Sequence, residues 1–239
     1  MSFIEELKNN RDKQIMAISI VFFVLAFPIY FGLAAQGGDD LSASTVVATY
    51  EIDGQEEYYE LGSGDEFIAD GETLSIDNLH TDSIDDADDM NIIGVRLTMT
   101  YTEAEDTSGA TCNIPGGSGN AADDTITGTT MHGEYNQTAS GSNNGDSGSH
   151  TVELYWISNV SLLSQETVTM SKSDIVAGID AGGLGLGAYM AEISVDAEAG
   201  NTPPPGTCQR SDAGEDVAYT VEIIVFDYDI RPYVDLEEL

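Results

Sequence analysis

Twenty-one consecutive residues, Ile15 to Ala35, carry no charge, and this run limits the chain's architecture more than any other feature. At about 1.5 Å of rise per residue, a helix of that length spans roughly 30 Å, the thickness of a bilayer's hydrocarbon core. Pro28 is tolerated in such a helix, because neighbouring groups in lipid re-satisfy the freed carbonyl. Tyr30 falls near the outer end, where aromatic rings favour the interface. Lys8, Arg11 and Lys13 precede the run, and the next basic residue is Arg96. The positive-inside rule therefore predicts a cytoplasmic N-terminus and an extracellular C-terminal domain. A cleaved signal peptide is the competing reading, with Gly32-Leu33-Ala34 offering small residues, but the run exceeds the roughly 7 to 15 residues of such a region. The expected division is a cytoplasmic stretch 1–14, a single-pass transmembrane helix 15–35, a linker 36–44 and an exported domain 45–239 at the cell membrane.

The charge balance then falls on one side. Asp and Glu number 43 against 7 Lys and Arg, for a net charge of -36, and the first 13 residues hold three of each. The exported part therefore carries the whole imbalance. No basic stripe exists to displace counterions from phosphates, which excludes nucleic acid as a partner. Acids spread along every segment, with lysine scarce, point to a salt-adapted surface kept hydrated by carboxylates. The densest cluster comprises Asp82, Asp85, Asp86, Asp88 and Asp89, an all-oxygen set that would suit Ca²⁺, although the EF-hand order of glycine and closing glutamate is missing. Apart from that Ca²⁺ reading, no cofactor is expected.

Cys112 and Cys208 both lie on the exported side, where thiols oxidise, so a single disulfide is the default expectation. His80, His132 and His150 match no zinc or copper spacing with them. The sequons at Asn136 and Asn159 are on the same side and eligible for N-glycosylation, the first in a polar loop and the second at the end of a predicted strand.

Period-two alternation runs from Val46 to the C-terminus. Strands are predicted at Val46 to Ile52 and Glu56 to Leu61, with Asp53-Gly54 as a hairpin turn between them, and at Thr73 to Leu79 after Asp70-Gly71. Ile93, Val95, Leu97, Met99 and Tyr101 share one face of the clearest strand. Val152, Leu154 and Trp156 alternate in a later one, Val168 and Met170 in a short one, and Ala191, Ile193, Val195 and Ala197 in a third. The last, Val217 to Ile230, is apolar on both sides in its second half, which predicts burial on both faces or a bulge. Ser173 to Ile179 reads as a helical turn with Ser173 as N-cap. Two long loops remain, Glu103 to Ser149 and Ala199 to Asp216. Many short strands and one helical turn predict an all-β, antiparallel sandwich of two sheets.

Between residues 91 and 230 this pattern resembles an immunoglobulin-like β-sandwich. Trp156 stands where that superfold carries a core Trp, Ser173 to Ile179 where a short helix precedes strand F, and Tyr189 where a corner Tyr enters it. Both core cysteines of antibody domains are missing. The resemblance implies that Ile93 to Tyr101 is strand B, Val152 to Ile157 strand C, Ala191 to Ala197 strand F and Val217 to Ile230 strand G. The two long loops would then meet at one end, where a Cys112–Cys208 bond would pin them. Five strand passes counted from Val46 through Tyr101 would place that end away from the bilayer. Anchor, charge and β-rich head together resemble an archaeal, salt-adapted surface protein. Archaeal pilins and archaellins share the basic stretch and apolar helix, but the junction Lys13-Gln14-Ile15-Met16 lacks the glycine of their processing site.

Hydrolytic chemistry has little to stand on: no G-x-S-x-G elbow occurs, and Gly182 to Gly187 has no lysine to make a phosphate loop. The expected role is non-catalytic display of the domain at the cell surface, with the lipid bilayer and a protein partner as contacts. The alternative is an accessory subunit of a larger membrane or filament complex.

Overall fold

A computed structural model describes residues 45–102, 105–112, 119–144, 147–201 and 208–233. The Ile15–Ala35 run and the linker lie outside these residues. Among the described residues no helix is long and apolar enough to cross a membrane.

The described chain is all-β and antiparallel, as its alternation predicts. One sheet contains β1 (Val47–Ala69), β3 (Ile92–Thr102), β7 (Gly148–Tyr155), β8 (Thr167–Ser171) and β11 (Gly214–Pro232), in the order β7-β3-β11-β1-β8. The second contains β2 (Thr73–His80), β5 (Asp123–His132), β6 (Tyr135–Asn144) and β9 (Ala188–Asp196), in the order β2-β9-β5-β6. A two-stranded ribbon of β4 (Asp106–Ser108) and β10 (Gln209–Ser211) completes the set.

The two larger sheets enclose one core, to which β3 gives Ile93, Val95, Leu97, Met99 and Tyr101, each 1% exposed or less. Ile126 of β5, Ala191, Ile193 and Val195 of β9, and Val217 and Val221 of β11 complete its centre. The sheets pack closely at Gly128, where a Cβ would stand 2.3 Å from the Met99 Cε atom. The outer face of the first sheet is wet and ionic: Arg96 donates twice to the Glu222 carboxylate, at 2.7 and 3.1 Å, and stacks 3.5 Å over the Tyr58 ring. Burial and the hydrogen bond it gives Glu56 push the Tyr58 phenol up to about 12.

Several local expectations change. Asp53-Gly54 is no turn: it lies inside β1, which runs unbroken past it in register with Asp229 and Tyr228 of β11, and the Phe226 ring lies over Gly54. Glycine is needed there for close approach, since a Cβ would sit 2.4 Å from Phe226 Cζ. Asp70-Gly71 does turn the chain, with Gly71 at φ 73°, but carries it from one sheet to the other, because β2 pairs with β9. Three strands therefore precede the first long loop instead of five, which leaves the parity odd. The helix α1 (Lys172–Ile179) is capped by Ser171, whose hydroxyl accepts from the Asp174 amide, two residues before the expected Ser173. The last strand meets both expectations at once. Ile223, Ile224, Val225 and Phe226 are buried in succession, and its register against β3 shifts between Ile224 and Val225.

The immunoglobulin strand letters do not survive pairing. The segments assigned to B, C and G are β3, β7 and β11, neighbours in one sheet, while the segment assigned to F is β9 in the other. In an immunoglobulin domain B lies apart from C, F and G. The individual markers nonetheless sit in the core. Trp156 is 6% exposed and its Nε1 donates to the Ile92 carbonyl at 2.8 Å. The Tyr189 hydroxyl donates to the Gly185 carbonyl, four residues upstream.

Candidate functional site

The sandwich has two unlike ends. At one, α1 packs beside the 3-10 turn Val160–Ser164, and Asn91 ties strand β3 to the Ile179 carbonyl at 3.0 Å and the Ala181 amide at 2.9 Å. His132 is buried at this end rather than in a polar loop. Its ring stacks on Tyr189 with centroids 4.2 Å apart, and its two nitrogens face the Ala188 and Leu184 carbonyls at 3.0 and 2.7 Å. This end reads as core closure.

The other end holds the chemistry. Strands β1 and β3 finish there, β5 and β11 begin there, and Cys112 and Cys208 join the two long connections across it in a disulfide with Cα atoms 4.9 Å apart. The β4–β10 ribbon adds backbone pairing between the same connections, Gln209 opposite Ser108 and Ser211 opposite Asp106. Beside it, Arg210 forks onto the Glu105 carboxylate with bonds of 2.6 and 2.5 Å, and the Gly200 amide donates to the same carboxylate at 2.6 Å. These side chains are only 9% and 1% exposed. The guanidinium holds the Glu105 carboxyl below its ordinary range, against the opposing effect of burial.

Next to this pair lies a cluster that the sequence reading missed. Asp124 near the start of β5, Asp212 in the turn before β11 and Glu215 near the start of β11 each bring one carboxylate oxygen within 4.8 Å of the others. Asp124 and Glu215 are fully buried and Asp212 is half-buried. The Asp124 Oδ1 atom accepts from the Glu198 amide at 2.7 Å, and the Asp212 Oδ1 atom from the Gly214 amide at 3.1 Å. Their Oδ2 atoms are buried and have no protein donor. Burial, and then the negative charges of Asp124, Glu105 and Asp70, push the Asp212 carboxyl up.

The residues singled out in the sequence are distributed differently. Cys112 and Cys208 meet as expected. Asp82, Asp88 and Asp89 lie exposed on two 3-10 turns, Thr81–Ser83 and Ala87–Asp89, and Asp85 and Asp86 lie exposed in the turn between them. They are not among the described carboxylates that converge. Asp82 instead faces His80, at 3.1 Å. Asn136 is exposed, on strand β6 rather than in a loop, and Asn159 is half-buried with its Oδ1 accepting from Ser161 Oγ at 2.7 Å.

The long loop 103–149 hid β4, β5 and β6 because β5 does not alternate in hydrophobicity. Its inward positions are Asp124, Ile126, Gly128, Thr130 and His132, all buried, and only Ile126 is a large apolar residue. The polar residues that β5 turns inward leave no apolar period in the sequence, so no sequence signal marks the cluster. No family model matches the chain, and no curated protein matches it.

Proposed function

We propose that the chain is a membrane-anchored cell-surface protein that displays a non-catalytic β-sandwich, immunoglobulin-like in the broad architectural sense, for structural or partner-binding roles. The observation that carries this reading is the sequence layout: an uncharged 21-residue run with three basic residues before it, followed by a domain that bears the whole net charge of -36 and both cysteines. An oxidised pair across one end of that domain accords with an extracellular setting. Both sequons would also face outward, with exposed Asn136 the better glycan acceptor. The connections from β3 to β5 and from β9 to β11 lie opposite the first residues of β1, so they would form the outward, partner-facing end.

The test is protease treatment of intact cells carrying an epitope tag at each terminus. The C-terminal tag should be lost and the N-terminal tag kept in the membrane fraction; protection of both, or release of the domain into the medium, would overturn the reading. Extraction in mild detergent then separates it from the alternative, since stoichiometric co-purifying membrane proteins would make the chain an accessory subunit.

A further inference from the structure

We propose that Asp124, Asp212 and Glu215 form a binding site for a hard divalent cation, Ca²⁺ fitting best. This goes beyond the display reading and does not depend on it, because it rests on the interior of the domain alone. Three carboxylate oxygens mutually within 4.8 Å is the spacing that ligands take around one ion. Two oxygens on opposite sides of Ca²⁺, at about 2.4 Å each, would be separated by about that distance.

A cluster of acids is common on so acidic a surface, and would carry nothing by itself. Here Asp124 is fully buried, and one of its two oxygens, like one of Asp212, has no hydrogen-bond donor. A buried ionised carboxylate is stable only when paired, hydrogen-bonded or bound to metal. Backbone amides of Glu198 and Gly214 hold one oxygen of each aspartate, which orients the other. The donor set is all oxygen, without thiol or imidazole, which selects Ca²⁺ or Mg²⁺ over softer metals. Ca²⁺ accepts irregular sets of six to eight oxygens with water completing the shell, whereas Mg²⁺ demands a near-ideal octahedron.

The ion would clamp the start of β5 to the turn that leads into β11, beside the disulfide. The same end would then be fastened covalently, ionically and by coordination.

The test uses the full chain in mild detergent, stripped with EGTA and dialysed into about 1 M NaCl, where the Debye length of about 3 Å suppresses loose Ca²⁺ condensation on the surface. Adding CaCl₂ to a hundredfold excess over the dissociation constant should raise Tm by about 5 to 10 °C, with one ion bound by calorimetry. Asp124→Asn and Asp212→Asn should each weaken binding by at least about tenfold. Without metal, neither variant should melt below the stripped wild type, because each loses a repulsive charge, and this separates a lost site from a damaged fold. Asp85→Asn with Asp88→Asn should leave the response intact. A wild-type Tm that ignores Ca²⁺, or a response that persists in Asp124→Asn and Asp212→Asn, would overturn the site.

Discussion

Replacing Arg210 with Met should be among the most destabilising single changes in the domain, because it removes the positive partner of a buried carboxylate. The Arg210 and Glu105 side chains are 9% and 1% exposed, so Glu105 would keep its Gly200 hydrogen bond but lose the guanidinium on both oxygens. Breaking a buried pair in this way costs about 3–5 kcal/mol, whereas an exposed pair is worth only about 0–1 kcal/mol. The negative charge already concentrated around Asp124, Asp212 and Asp70 argues for the upper part of that range. For a domain of this size, about 3–5 kcal/mol lowers Tm by roughly 6 to 20 °C. The double variant Glu105→Leu with Arg210→Met removes both charges and should recover most of the loss. Urea unfolding in EGTA, at two NaCl concentrations, is the assay. The midpoint should fall at constant m-value, and the deficit should survive high salt, because a buried pair is weakly screened. A loss below about 1 kcal/mol for Arg210→Met, or a double variant as unstable as the single, would refute the argument.

Three further outcomes are expected. Cys112→Ser with Cys208→Ser opens a closure of 96 residues, which costs up to about 4.7 kcal/mol in the chain-entropy model and should raise the urea m-value as the unfolded chain expands; equal midpoints for the two chains would sink this. Burial holds the His150 imidazole below its ordinary pKa, so the unfolded state takes up the proton first on acidification. Stability should be fully present above about pH 6.5 and decline below it, and Tm measured between about pH 6.5 and 5.5 should show that component in the wild type and not in His150→Phe. Trp156→Phe removes the bond to the Ile92 carbonyl and part of the packing on His132, and should cost about 1–3 kcal/mol by urea unfolding.

How much could be read from the chain depended on whether a strand's buried face was apolar. The buried face of β3, from Ile93 to Tyr101, is wholly apolar, and its reading needed no correction. Strand β5 has the same period in burial but spends it on Asp, Gly, Thr and His, so its alternation is invisible to hydrophobicity. Its partner β6, reading Tyr-Asn-Gln-Thr-Ala-Ser-Gly-Ser-Asn-Asn, is a polar edge strand that looks like a loop. The Gly133 turn between them, with φ 56°, lacked the flanking apolar runs that identify a hairpin. Asp53-Gly54 failed in the opposite sense, as a turn signature whose glycine serves close approach to Phe226. The carboxylate cluster depends on β5 and β11 starting at the same end of the sandwich, so neither the acid density nor the spacing of Asp124, Asp212 and Glu215 reveals it. The most acid-rich segment of the sequence, Asp82 to Asp89, proved to be solvated.

Strand β1 also determines how the domain would carry mechanical load. From Tyr50 opposite Pro232 to Ala69 opposite Gly214, β1 and β11 run antiparallel over nearly their full lengths, with one irregularity between Glu60 and Gly62. A pull entering at Val47 and leaving through the disulfide-bearing end acts along the strand axis. The hydrogen bonds between β1 and β11 would then be strained sideways all together, as in a lap joint, instead of being peeled one at a time. The disulfide would pass tension from one connection to the other without unravelling either. Tethered at one end and tugged at the other, the domain would resist as a strut.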